Sequence, residues 1–109
     1  TDTERPARRA EEEGVVLAAR DILRSYINDA NLELSDPLER VRAAGKVYIY
    51  PTDSGWEISG HYRRAGEKTW HDFLMALGHE ATLLSLRVND NDPQLASLAA
   101  GDPRFSTAE

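Results

Sequence analysis

Two short runs of β-branched and aromatic residues, separated by turn-forming residues, constrain this chain most. Lys46–Tyr50 reads KVYIY. Trp56–Tyr62 reads WEISGHY, in which Trp56, Ile58, Gly60 and Tyr62 alternate with Glu57, Ser59 and His61. Such alternation marks a half-buried strand. Pro51–Gly55 (PTDSG) between the runs is turn chemistry, so together they predict a β-hairpin. A lone hairpin is marginal in water, and other elements must cover one of its faces.

Helical patterns supply that cover. Val15, Ala19, Ile22, Leu23, Tyr26, Ile27 and Ala30 fall on one face at a 3.6-residue period, opposite Arg20, Asp21, Arg24 and Asn28. This predicts an amphipathic helix ending near Asn31. The preceding TDTERPARRAEEEG, residues 1–14, reads as a charged flexible arm, which leaves 15–109 as a single α+β domain. Ser35-Asp36-Pro37 is a turn or a helix start. Leu38–Ala44 fits either a short helix or a third strand before the hairpin.

After the RRAGEK loop, Thr69 with Asp72 three residues on resembles a capping box. A long helix is expected from there to Val88. At about 100° per residue, Trp70, Phe73, Leu74, Leu77, Ala81, Leu84 and Val88 gather on one side, and Met75, Leu83 and Leu86 on the other. One helix with two apolar faces needs a second covering surface. The expectation is self-association through Met75, His79, Leu83 and Leu86, with a folded-back C-terminal helix as the alternative cover. Gly78 in mid-helix costs about 1 kcal/mol against alanine, tolerable where another backbone comes close. Asp92-Pro93 caps a last short helix that Gly101 closes. The expected architecture is therefore α+β: an N-terminal amphipathic helix, a hairpin with room for a third strand, the long two-faced helix and a short C-terminal helix. Trp56 and Trp70 are expected to anchor one core between hairpin and helix.

The chemistry-bearing residues exclude more than they assert. The chain has no cysteine, which removes disulfides, thiolate metal sites and cysteine nucleophiles and fits a cytoplasmic setting. No apolar run approaches the ~20 residues that span a bilayer, so no membrane partner is expected. His71 and His79 are eight apart, outside the i,i+3 or i,i+4 spacing of helical metal ligands. Asp90-Asn91-Asp92 lacks the glycine and distant glutamate of a calcium loop, and helix capping accounts for Asp92. Ser54, Ser59 and Thr52 lie near His61 in sequence without a nucleophile-elbow motif, and no glycine-rich phosphate loop is present. No catalytic residue, metal or cofactor is expected.

The net charge is −6, which disfavours nucleic-acid backbones and anionic surfaces. Residues 46–70 alone carry more basic than acidic side chains, four against three. There His61, Tyr62, Arg63, Arg64 and Lys68 follow a strand among aromatics, the composition that receives an anion or a stacked single strand. The sequence thus predicts a non-catalytic protein–protein interaction module, homodimeric and acting on another protein. A regulator binding nucleic acid or another anion through the hairpin end is the alternative, and a small enzyme or enzyme subunit the third reading.

Overall fold

The structure, a computed structural model, describes residues 4–27, 31–35 and 47–107, with side chains from residue 10 onward. Helix α1 spans Glu4–Tyr26, followed by strands β1 (Glu33–Ser35), β2 (Tyr48–Thr52), β3 (Gly55–Arg63), β4 (His71–Gly78) and β5 (Leu83–Val88), helix α2 (Pro93–Gly101) and strand β6 (Phe105–Thr107). Thus α1 also takes in most of the stretch read from the sequence as an arm. The strands form one mixed six-stranded sheet in the order β1-β3-β4-β5-β6, with β2 also paired to β3. Strand β3 is long enough to hold two partners in tandem: β2 lies along Gly55–Ser59 and β1 along His61–Arg63. Every pairing is antiparallel except β5 with β6.

The expected β2–β3 hairpin is present, with Ile49 opposite Ile58; Pro51, Thr52 and Gly55, read as turn, belong to its strands, and Thr52 faces Gly55 across a two-residue turn. Gly55 has φ +149°, and a Cβ there would meet the Leu77 carbonyl oxygen at 2.1 Å. Gly60 is required by close approach: its Cβ would lie 2.6 Å from the Ser35 carbonyl oxygen and 3.0 Å from the Phe73 ring. The segment Leu38–Ala44 lies outside the described residues.

The expected long helix over Thr69–Val88 is instead a second hairpin, β4 and β5, which replaces the two-faced-helix architecture. Locally, Leu, Met and Ala favour a helix. In the folded chain His71–Gly78 pairs with β3 along its length, and the sheet satisfies its backbone while burying every second residue. Phe73, Met75 and Leu77 are buried, whereas Asp72 and Leu74 are exposed. Gly78, read as a tolerated helix residue, opens the turn: its N–H donates to the Thr82 carbonyl at 2.8 Å, and Ala81 adopts φ 60°. Thr69 and Asp72 therefore cap no helix. A capped C-terminal helix is present: Asp92 accepts the Gln94 N–H at 2.9 Å and Pro93 takes the first helical position.

One core joins these elements. Val15, Ala19, Leu23 and Ile27 of α1 pack with Trp56, Ile58 and Tyr62 of β3, Phe73, Met75 and Leu77 of β4, Leu86 and Val88 of β5, Leu95 of α2 and Phe105 of β6. Tyr26 stacks on Phe105 at 4.5 Å and donates its hydroxyl to Asp102, tying α1 to the α2–β6 junction. Trp70, expected beside Trp56, is half-buried before β4 and carries the Arg63 guanidinium 4.5 Å from its ring centre. Both helices contribute to the core face of the sheet. Among the described residues no helix covers the other face.

Candidate functional site

At one end of the sheet, β3 hands the chain to the β3–β4 loop, and β5 hands it to α2. The two junctions meet around Asp90, a carboxylate buried with 5% of its surface exposed. The Tyr62 hydroxyl donates to it at 2.5 Å, Arg64 Nη2 lies 3.0 Å away, and the Asp92 N–H donates to its other oxygen at 3.1 Å. Arg64 also reaches Asp92 at 3.0 Å and Glu67 at 3.3 Å, and Glu67 holds the His71 ring at 3.0 Å. Burial alone would raise the Asp90 pKa. The Tyr62 hydrogen bond, the Asp92 amide and the charges of His71 and Arg64 outweigh it and hold the carboxyl below its usual range. Burial, and then the bond to Asp90, push the Tyr62 hydroxyl the other way. Glu67 is likewise lowered against its burial, chiefly by His71 and the Arg64 amide. Asp90 is thus supplied with donors from three directions, the geometry of a latch between two loops.

Those contacts also place the residues expected to receive an anion. Tyr62 is fully buried in the core face. Arg64 is surrounded by Glu67, Asp90 and Asp92. Arg63 pairs with Glu33 at 2.7 Å while lying against Trp70. His61 is buried, with Nε2 3.2 Å from Asp72 Oδ1 and Nδ1 without a hydrogen-bond partner among the described residues. Lys68 stands exposed in the loop. The four residues expected at a partner interface do not share a surface either. Met75 and Leu86 are fully buried opposite one another, Leu83 is half-buried, and His79 is exposed in the turn with Nε2 3.2 Å from the Asp53 carbonyl oxygen. Among the described residues no cluster of histidine and carboxylate groups is arranged to hold a metal ion.

The solvent-facing side of the sheet is the other candidate. The pairing registers arrange its side chains in rows. Tyr48, Ser59, Leu74 and Arg87 form one row across β2, β3, β4 and β5, and Tyr50, Glu57, Ala76 and Ser85 the next. Tyr48 and Tyr50 stack at 5.2 Å, and both hydroxyls donate to Glu57 Oε2. That bond, more than burial, pushes Tyr50 up to about 12. Tyr50 and Leu74 are 45% and 40% exposed. Leu84, equally open, reaches to 3.8 Å of the Cβ position of Gly78 on this side. The small residues Ser59 and Ala76 between the tyrosines and Arg87 leave a shallow trough. A hollow of about 370 Å³ there is lined by Tyr48, Ser59, Asp72, Phe73, Leu74, Arg87 and Asn89.

Comparison with protein-family models, with curated proteins and with solved structures finds no match to this chain. The site stands on its own geometry.

Leu74, Asp72 and Arg87 were not singled out from sequence as surface residues. The signal was present as a period-two count over His71–Gly78, which puts Phe73, Met75 and Leu77 on one side and Leu74 and Ala76 on the other.

Proposed function

We propose that this protein is a non-catalytic protein-interaction module whose binding surface is the solvent-facing side of its sheet, centred on Leu74. One observation carries the reading. Tyr50, Leu74 and Leu84 stand open beside half-buried Tyr48 on one sheet face, while Arg63 and Arg64 at the hairpin end are paired with Glu33 and with Glu67, Asp90 and Asp92. Contiguous exposed apolar surface marks interaction sites. Tyrosine and arginine, both present on this face, are residues that protein interfaces are enriched in. The Asp90 cluster suits a structural role, because its carboxylate already accepts from Tyr62, Arg64 and Asp92 and leaves little for a substrate.

The test is affinity capture from native extract with three baits: wild type, Leu74→Glu and Leu98→Glu. Leu98 is as exposed as Leu74 but lies on α2. Proteins retained by wild type and Leu98→Glu and lost from Leu74→Glu are the expected result. Identical captures from all three baits would overturn the proposal. So would salt-sensitive binding of single-stranded oligonucleotides at low ionic strength that requires Arg63 and Arg64.

A further inference from the structure

We propose that the partner seated on this face is a second copy of the chain, held about a twofold axis close to Leu74 with each Arg87 against the other copy's Asp72. The inference rests on the reading of the open face as the binding surface and goes further by naming the occupant.

The argument is one of charge and position. Leu74 lies beside Arg87 in the β4–β5 register and two residues along β4 from Asp72. Strand spacing and rise put these neighbours about 5 Å and about 7 Å from Leu74, in directions roughly at right angles. Arg87 is exposed, and the Asp72 side chain is 66% exposed although His61 touches one of its oxygens. Both line the same hollow, yet they form no ion pair with each other. Among the described residues the patch thus presents a guanidinium without an ion-pair partner and an open carboxylate on two sides of an apolar centre.

A basic partner would leave Arg87 facing like charge, and an acidic partner would leave Asp72 doing so. About Leu74 the patch sets one charge of each sign, Arg87 and Asp72, and such a pair can complement a second copy of itself. A twofold contact repeats every pairing in reverse, so Arg87 on Asp72 implies Asp72 on Arg87. The axis in the sheet plane that exchanges those two positions passes close to any point nearly equidistant from them, which Leu74 is. Leucine then meets leucine at the centre, Tyr48 adds apolar area beside it, and the two ion pairs form the rim, the usual anatomy of an interface.

Sedimentation equilibrium over the micromolar range tests this with Arg87→Glu, Asp72→Lys and their equimolar mixture. Each reversal alone sets like charges together at both contacts and should weaken self-association by about 100-fold. In the mixture both contacts regain opposite charges, so a heterodimer near wild-type strength is expected. That recovery also shows that both variants are folded. Three results would overturn the proposal: a wild type that stays monomeric, a dimer indifferent to either reversal, or a mixture that fails to recover. A monomeric wild type whose captured proteins still depend on Leu74 would refute the second copy alone. Captures indifferent to Leu74 would refute the binding face itself.

Discussion

The two sides of this sheet are made of alternate residues of the same strands, yet one packs under the helices and the other carries exposed side chains. On the covered side, Ile58, Met75, Leu77, Leu86 and Val88 are fully buried under α1 and α2. On the open side the intervening positions mix the polar Glu57, Ser59, Asp72 and Ser85 with Tyr48, Tyr50, Leu74, Ala76 and Arg87, so apolar or amphipathic side chains stand where a solvated sheet face would ordinarily be polar. The first side stabilises the fold. The second leaves hydrophobic area in water, the feature on which the proposed binding role rests.

The largest expected effect separates the two sides through adjacent residues. Met75→Ala should destabilise the protein by about 2–5 kcal/mol, whereas Leu74→Ala should stay within about 1 kcal/mol of wild type. Denaturant unfolding measures both. Equal losses would mean that the sides are not distinct.

That pair also shows what was legible in the sequence. The β2–β3 hairpin could be read because Glu57, Ser59 and His61, which alternate with Trp56, Ile58, Gly60 and Tyr62, are polar and the alternation is plain. The β4–β5 hairpin could not, because Leu74 and Ala76 are apolar and erase the contrast. Residues apolar on both sides of a strand also fit a helix that is apolar all round. The helical reading then exchanged the sides, sending Leu74 to the core and Met75 and Leu86 to the surface. An excess of apolar surface on this segment was visible from composition. Which residues carry it depends on period two, which only the pairing with β3 decides. The Asp90 latch was invisible for a different reason: Tyr62 and Asp90 are 28 residues apart and meet through the sheet.

A smaller effect is expected at that latch. Tyr62→Phe keeps the buried ring but takes a donor from Asp90, and should cost about 1–3 kcal/mol. Unfolding unchanged within error would show that Arg64 and the Asp92 amide suffice.

The smallest effect is in acid. The Tyr26 hydroxyl, with Arg104, holds Asp102 down to about 2. Asp90 is also held below its ordinary range, by the donors described above. A carboxyl lowered on folding adds stability above its unfolded pKa of about 4 and loses it as pH falls toward the folded value. Thermal midpoints should therefore drop from about pH 4 downward. Tyr26→Phe keeps the stack on Phe105 and should make that drop shallower. An unchanged slope would remove Asp102 from the account.

The central claim is that the open face binds and does not hold the fold together. The most direct measurement follows unfolding and sedimentation of Leu74→Glu on one sample, with unfolding taken at a dilution where wild type is monomeric so that association adds nothing to stability. The account predicts an unfolding free energy within about 1 kcal/mol of wild type and loss of the associated species. A variant that unfolds as readily as Met75→Ala, or that associates as wild type does, would contradict it.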